Sequence, residues 1–451
     1  MSGYESQNNH RTRFAANWVV GAEGASWSQR RRLMAVLRRA HRVLGVDHKD
    51  MGVGSLGFGG GARSVLLASA SPASVIGGLA AIAALGLPMP AHAQTSVGNG
   101  TASGTRSIAI GTTATTATAS GQDSVAIGNT ATASGQEAVA EGHNSTASAQ
   151  NAVAIGFQAF ATQVNTVYLG ARTVAGTGAL APGAIGIGTD VTASLNNAVA
   201  IGTQSVASAQ YTVAIGLNAN ASGAGGAVAI GQTAISSSIN SVAIGVQSNA
   251  TGGGSTALGT FTLASGGNSS AIGVGSTASN SFAWAGGYQS VASGVSSTAL
   301  GQLTNATGDA STAVGNGAKA TGNSSLALGA QALAIGGSTV AVGQGAGAGS
   351  TTGNASSVAV GIAAGTLVSG GQNTAIGGGV PSVLRGAGSG VTGQRNVALG
   401  TGDGGVAYDA TLSASAGNLV TGNDNIAIGT NAGIGVAANA TTSIGYSAMA
   451  T

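Results

Sequence analysis

The chain has 451 residues, of which 6% are charged, 3% are aromatic, 80 are glycine and none is cysteine, a composition unlike that of an ordinary globular enzyme. Its formal net charge of +3 is uneven: residues 1–93 hold 10 of the 15 Lys and Arg and 4 of the 12 Asp and Glu, so the other 358 residues carry 5 basic and 8 acidic side chains, net −3. That balance supplies neither the phosphate neutralisation nor the aromatic stacking of a nucleic-acid binder, and with His143 the one histidine beyond residue 93, no metal cluster, cofactor site or Ser-His-Asp arrangement is expected.

Residues 1–93 read as an extended basic leader ending in a signal peptide. Arginines cluster at Arg30, Arg31, Arg32, Arg38, Arg39 and Arg42, an uncharged apolar run extends from Val75 to Leu87, and Pro88, Pro90 and Ala91-His92-Ala93 follow. This is the order of a basic region, an apolar region and an A-x-A cleavage site; cleavage after Ala93 leaves a mature chain beginning at Gln94. About 13 apolar residues fall short of the roughly 20 that a membrane-spanning helix needs. A small basic helical segment over residues 11–63, or a start at Met34 or Met51, are the alternatives.

From Ser107 a five-residue phrase recurs: SIAIG at 107–111, SVAIG at 124–128 and 241–245, AVAIG at 152–156, 198–202 and 227–231, STALG at 297–301 and NIAIG at 425–429. The closing glycines from Gly128 to Gly343 are separated by 14 residues in thirteen intervals. A short fixed period is the signature of a solenoid. Within each phrase large and small residues alternate, which is strand periodicity; the second half, such as Thr130 to Gly135, reads as a shorter strand closed by a turn. The expected fold is all-β, a parallel β-roll of about 14 residues per coil and about 20 coils, regular over 94–377. Its expected apolar core is the row of Ile110, Val125, Ile127, Val153, Ile155, Val199, Ile201, Val242 and Ile244, facing an alanine row. So narrow a coil buries little apolar area against about 1–2 kcal/mol of ordering entropy per residue, so identical rods are expected to associate through the small Ser, Ala and Gly face.

Asn240–Ser248, NSVAIGVQS, and Asn197–Ser205, NAVAIGTQS, on a 14-residue period, resemble the head repeat of the trimeric autotransporter adhesins, the YadA-like family of Gram-negative bacteria, over roughly residues 100–445. The resemblance implies a left-handed β-roll, a homotrimer, display at the cell surface or outer membrane, and binding to host matrix such as collagen or fibronectin, to host cells or to sister bacteria. The family continues into a heptad stalk and a barrel anchor, whereas this sequence stops at Thr451 in a repeat-like segment, 430–451; a head fragment or truncated product is expected, a secreted head being the alternative.

Several positions break the pattern. Glu141 stands where neighbouring coils have Ile127 and Ile155, and a local bulge turning it outward is expected. Gly286 replaces the usual Ile, with Trp284 expected to fill the gap and Tyr288 beside it. Residues 378–429 lose the period, with intervals of 23 and 29 from Gly377 to Gly400 to Gly429, and hold Arg385, Arg395, Asp403, Asp409 and Asp424, the candidate ligand contacts. An enzyme is not expected, since residues 191–308 contain no charged side chain. The G-G-x-G-x-D repeats of calcium-binding rolls are missing. An ice-binding or purely structural solenoid is the rival reading, prompted by Thr113, Thr115, Thr116 and Thr118.

Overall fold

A computed structural model describes residues 94–112, 115–379, 385–401 and 415–449; Ala91, Ala93, Thr113, Asp403 and Asp409 lie outside them. The described chain is all-β apart from one 3₁₀ turn at Thr352–Asn354. Strands of three residues alternate with strands of two, and each pairs in parallel with its counterpart one coil away: Val199–Ile201 with Val213–Ile215 in the register Val199 to Val213 and Ala200 to Ala214, and Thr192–Ala193 with Val206–Ala207. The three-residue strands form one ladder of 23. At about 4.8 Å per step, this β-solenoid is on the order of 100 Å long.

The inner and outer faces are the reverse of the hydrophobicity ranking. Ala126, Ala154, Ala200, Ala214 and Ala243 are fully buried, whereas the flanking Val125, Ile127, Val153, Ile155, Val199, Ile201, Val242 and Ile244, with Ile110, lie outside and are half-buried. The reason is width. Two strands joined by two tight turns stand so close that a methyl group fills the space between them, and a branched side chain can only point away. The expected core row is therefore an external apolar stripe, and the small Ser and Ala residues expected to join rods are enclosed within each rod.

The phrase Asn240–Ser248 can be decoded residue by residue. Asn240 (φ 52°) and Gln247 (φ 55°) turn the two corners in the left-handed region, which Asn tolerates best among residues with a side chain. Ser241, Ala243, Ser248 and, in the short strand, Ala250 point inward and are fully buried. The Ser241 hydroxyl donates to the Ser238 carbonyl at 2.7 Å and Ser248 to that of Gly245 at 2.9 Å, meeting the requirement that a buried hydroxyl find a partner. Gly245 has φ 134°, and a Cβ there would lie 2.3 Å from the Gly259 carbonyl oxygen, so glycine is required on both counts. Backbone bonds then lock the coil to its neighbours: Gly245 N–H to Ile230 O at 2.8 Å, Val242 N–H to Ser255 O at 2.9 Å.

The coil after Gly170 is enlarged. Between Gly170 and Gly188 the interval is 18 instead of 14, and Tyr168 replaces the inward alanine of Val167–Leu169. It is fully buried with Val191, and its hydroxyl donates to Ala171 O at 2.9 Å. The next coil makes room with Gly186, where a Cβ would lie 3.0 Å from the Tyr168 ring.

The coil format also changes, and earlier than the period suggests. Leu333–Ala334 is the last two-residue strand; beyond Gly343 the second side is a run of turns around a separate column of Val368, Val391, Val420 and Val436. Gly361 to Gly377 and Gly429 to Gly445 both span 16 residues, the basic length of this wider coil. Its inner corner is a buried asparagine ladder. Asn396 N–H donates to Asn373 Oδ1 at 2.8 Å and Asn425 N–H to Asn396 Oδ1 at 2.9 Å, while Asn373 and Asn396 amides donate to the carbonyls of Gly393 (2.8 Å) and Gly422 (3.0 Å). Gly388, at φ 64°, faces Ala375, whose Cβ would be 2.7 Å from an added one.

Candidate binding surface

Among the described residues the interior is closely filled. The cavity inside the wide coils, lined by Ala359, Val368, Asn373, Ala398 and Asn425 among others, is about 20 Å³, room for about one water. Among the described residues no three of His, Cys, Asp and Glu converge as metal ligands would. Among the described residues four external strips are open to a ligand: the Val/Ile face, the opposite face of the short strands, a first corner after each closing glycine, and a second corner before each three-residue strand.

The Val/Ile face is apolar in nearly every coil of its second column and turns to Thr or Ser in several coils of its first, and its exceptions show that it faces outward. Glu141 pairs in register with Ile127 and Ile155; it is exposed without the expected bulge, because that column already points out. Trp284 likewise does not fill the space at Gly286. It is 43% exposed, and the space is occupied from the next coil by Leu300, whose Cδ2 would lie 2.8 Å from a Cβ on Gly286. The opposite face presents Thr101, Thr118, Thr132 and Thr146 in consecutive coils, then Phe160, Gly178, Thr192, Val206 and Asn220. A threonine array for an ice lattice runs for only four coils.

Of the candidate ligand contacts, Arg395 and Asp424 meet each other. Both occupy left-handed positions on the second corner, at φ 57° and 60°, and form a two-pronged pair at 2.6 and 2.9 Å between adjacent coils. The hydrogen-bonding guanidinium holds the Asp424 carboxyl below its ordinary pKa. Arg106 and Asp123 form the same kind of pair on the same corner at the other end of the rod. Both pairs are solvent-exposed ladder contacts of small energetic weight. Arg385 lies apart from them, its carbonyl accepting from the Ser415 hydroxyl.

The described ends of three insertions lie on the first corner. The four extra residues after Gly170 are held by Asp190, whose carboxylate accepts from Thr173 N–H (2.6 Å), Thr173 Oγ1 (2.6 Å) and Val174 N–H (3.0 Å); the Thr173 bonds lower its pKa. Against the 16-residue coil, the intervals of 23 and 29 leave 7 and 13 residues over. The described coil is in register again at Ala387 and Ala416, whose carbonyls accept backbone N–H bonds in the manner of Ala364 and Ala432. Nearby on this corner Arg172 covers the Phe160 ring at 4.7 Å, and His143 stacks on Phe157 at 5.4 Å. The corners also carry large exposed apolar residues, among them Phe157, Tyr211, Phe261 and Phe282. Sequence reasoning passed over these, though aligning the chain on its period and reading the residues beside each glycine brings them out.

The family model for the YadA head domain repeat, each unit spanning two copies, matches again and again between residues 101 and 346, from 101–118 and 119–145 through 236–262 to 320–346. These matches cover more than half of the chain. The chain belongs to the YadA head family. The match ends at residue 346, where the two-strand coil gives way to the wide coil with its asparagine ladder, so the described residues beyond it follow a second coil format. No curated protein matches the chain.

Proposed function

We propose that the chain is the head of a cell-surface adhesin that works as a homotrimer of parallel rods. The observation that carries this is the external Val/Ile stripe. A rod whose interior is already filled by alanine still presents branched apolar side chains on nearly all of its 23 three-residue strands, and a long contiguous apolar patch of this kind marks an interaction surface. Three copies around an axis would enclose it and add the apolar burial that one narrow coil lacks. Residues 1–93 then serve in export, with Gln94 starting the mature head at the cell surface or outer membrane.

The ligand is host extracellular matrix such as collagen or fibronectin, a host cell surface, or a neighbouring bacterium. Binding is distributed over the regular coils, weak at each and strengthened by multiplicity, since Arg395 and Asp424 neutralise each other and residues 191–308 hold no charge. Light scattering gives the mass of the rod, with three chains expected. Beads coated with intact head, a 378–424 deletion or a six-coil deletion are then tested on immobilised collagen and fibronectin. Distributed binding predicts a graded loss with the six-coil deletion; complete loss with the 378–424 deletion alone would move the site to the insertions.

A further inference from the structure

We infer that the two corners of the rod are complementary halves of one lateral contact, the first corner of each copy seated against the second corner of the next. This rests on the reading of the rods as parallel and side by side. Three apolar pairs motivate it: Tyr211 with Leu217, Ile239 with Val246, and Phe282 with Tyr288. All six side chains are exposed in the single chain. In each pair the first residue stands on the second corner and the other on the first corner, with one three-residue strand between them. They therefore occupy the same level along the axis to within half a coil, about 2.4 Å.

On one rod the partners of a pair sit at opposite ends of a strand and face away from each other. They meet only when a second copy lies alongside at the same height. Rotation about a threefold axis parallel to the rods produces that arrangement, because it brings unlike edges together and closes after three copies.

Two further observations point to a copy of this chain as the occupant. Residues 191–308 contain no charge, so unlike edges approach without leaving a buried ion unpaired. Where the outer stripe turns polar, at Thr256, Ser270, Thr298 and Thr312 in its first column, Phe282 and Tyr288 add aromatic surface at the corners, so apolar area shifts from the face to the edges and is not lost. Phe282 and Tyr211 also hold left-handed conformations, at φ 59° and 61°, positions where Asn or Gly would be less strained. Something other than the turn accounts for those aromatic rings.

The chain has no cysteine of its own, so the test is direct. The full chain carrying F282C and Y288C together, treated with oxidant or a short bis-maleimide, should run as a covalent trimer on a denaturing gel, while F282C alone and Y288C alone should stay single chains. Dimers from either single variant would mean that like edges meet, and would overturn the inference. So would a double variant that stays uncrosslinked while light scattering reports three chains. A light-scattering mass of one chain would instead remove the trimer on which the contact rests.

Discussion

Exchanging the sizes of two adjacent residues separates the inside of the rod from its outside. Ala243 is fully buried and stacked in register between Ala229 and Ala257, while Ile244, one residue on, is half-buried on the external stripe. Ala243→Leu forces three extra carbons into a space closed by backbone on both sides, at a cost of about 1–3 kcal/mol or more, and that cost belongs to the single chain. Ile244→Ala removes three carbons at about 0.8 kcal/mol each when fully buried, so up to about 2.4 kcal/mol per chain and about 7 per trimer, part of it already lost in the lone rod. Circular dichroism melts over a hundredfold range of concentration tell the two apart, because a loss at a subunit contact grows on dilution and an internal loss does not. Ile244→Ala should show the dependence as a deficit that widens on dilution, and Ala243→Leu as a constant offset. A concentration-independent deficit for Ile244→Ala, together with a harmless Ala243→Leu, would refute the assignment of faces.

Tyr168→Ala should cost about 3–5 kcal/mol in the enlarged coil through the cavity it leaves, and Tyr168→Phe about 1 kcal/mol through the bond to Ala171 O, both read from denaturant melts. Asn396→Ala leaves the Asn425 N–H and the Gly422 carbonyl without their partners, on the order of 2–5 kcal/mol together; hydrogen exchange should accelerate in the wide coils beyond residue 343 and stay slow over 199–300, since coils feel mainly their neighbours. Because hydrogen bonds from Thr173 depress the Asp190 pKa, their contribution is present above the ordinary carboxyl value of about 3.9 and is lost as pH falls through the lower, folded value. Exchange at the Thr173 and Val174 amides should therefore rise only below about pH 4, and Asp190→Asn should remove that transition.

The period, the strands and the corners were legible because each is a local matter: alternation, a left-handed turn residue, a glycine with no room for a side chain. Which face lies inside is decided by the distance between two strands, which no single coil declares, and ranking by hydrophobicity chose the wrong one. A better signal was nonetheless present among the repeats. The central position stays alanine in copy after copy while the flanking columns accept Glu141, Trp284, Ser270 and Gly286, a tolerance that only an outward column can have. The ion pair of Arg395 and Asp424 was hidden for a different reason. The 29-residue interval conceals a 16-residue coil, so two residues 29 apart in sequence are immediate neighbours on one corner.

The direction of the backbone bonds has a mechanical consequence for a rod under tension. Every ladder bond between coils runs along the long axis, so a load applied at the two ends pulls each rung open in turn and does not shear many at once. A released coil of 14 residues extends to about 46–50 Å from the roughly 4.8 Å it occupied, a gain of about 43 Å per step. Stretching one chain between a surface and a probe should then give a long series of small, even force peaks, with larger gains from the Gly377 and Gly400 coils. Such a rod lengthens many times over before its last coil opens, dissipating a pull that a stiff tether would pass directly to whatever it holds.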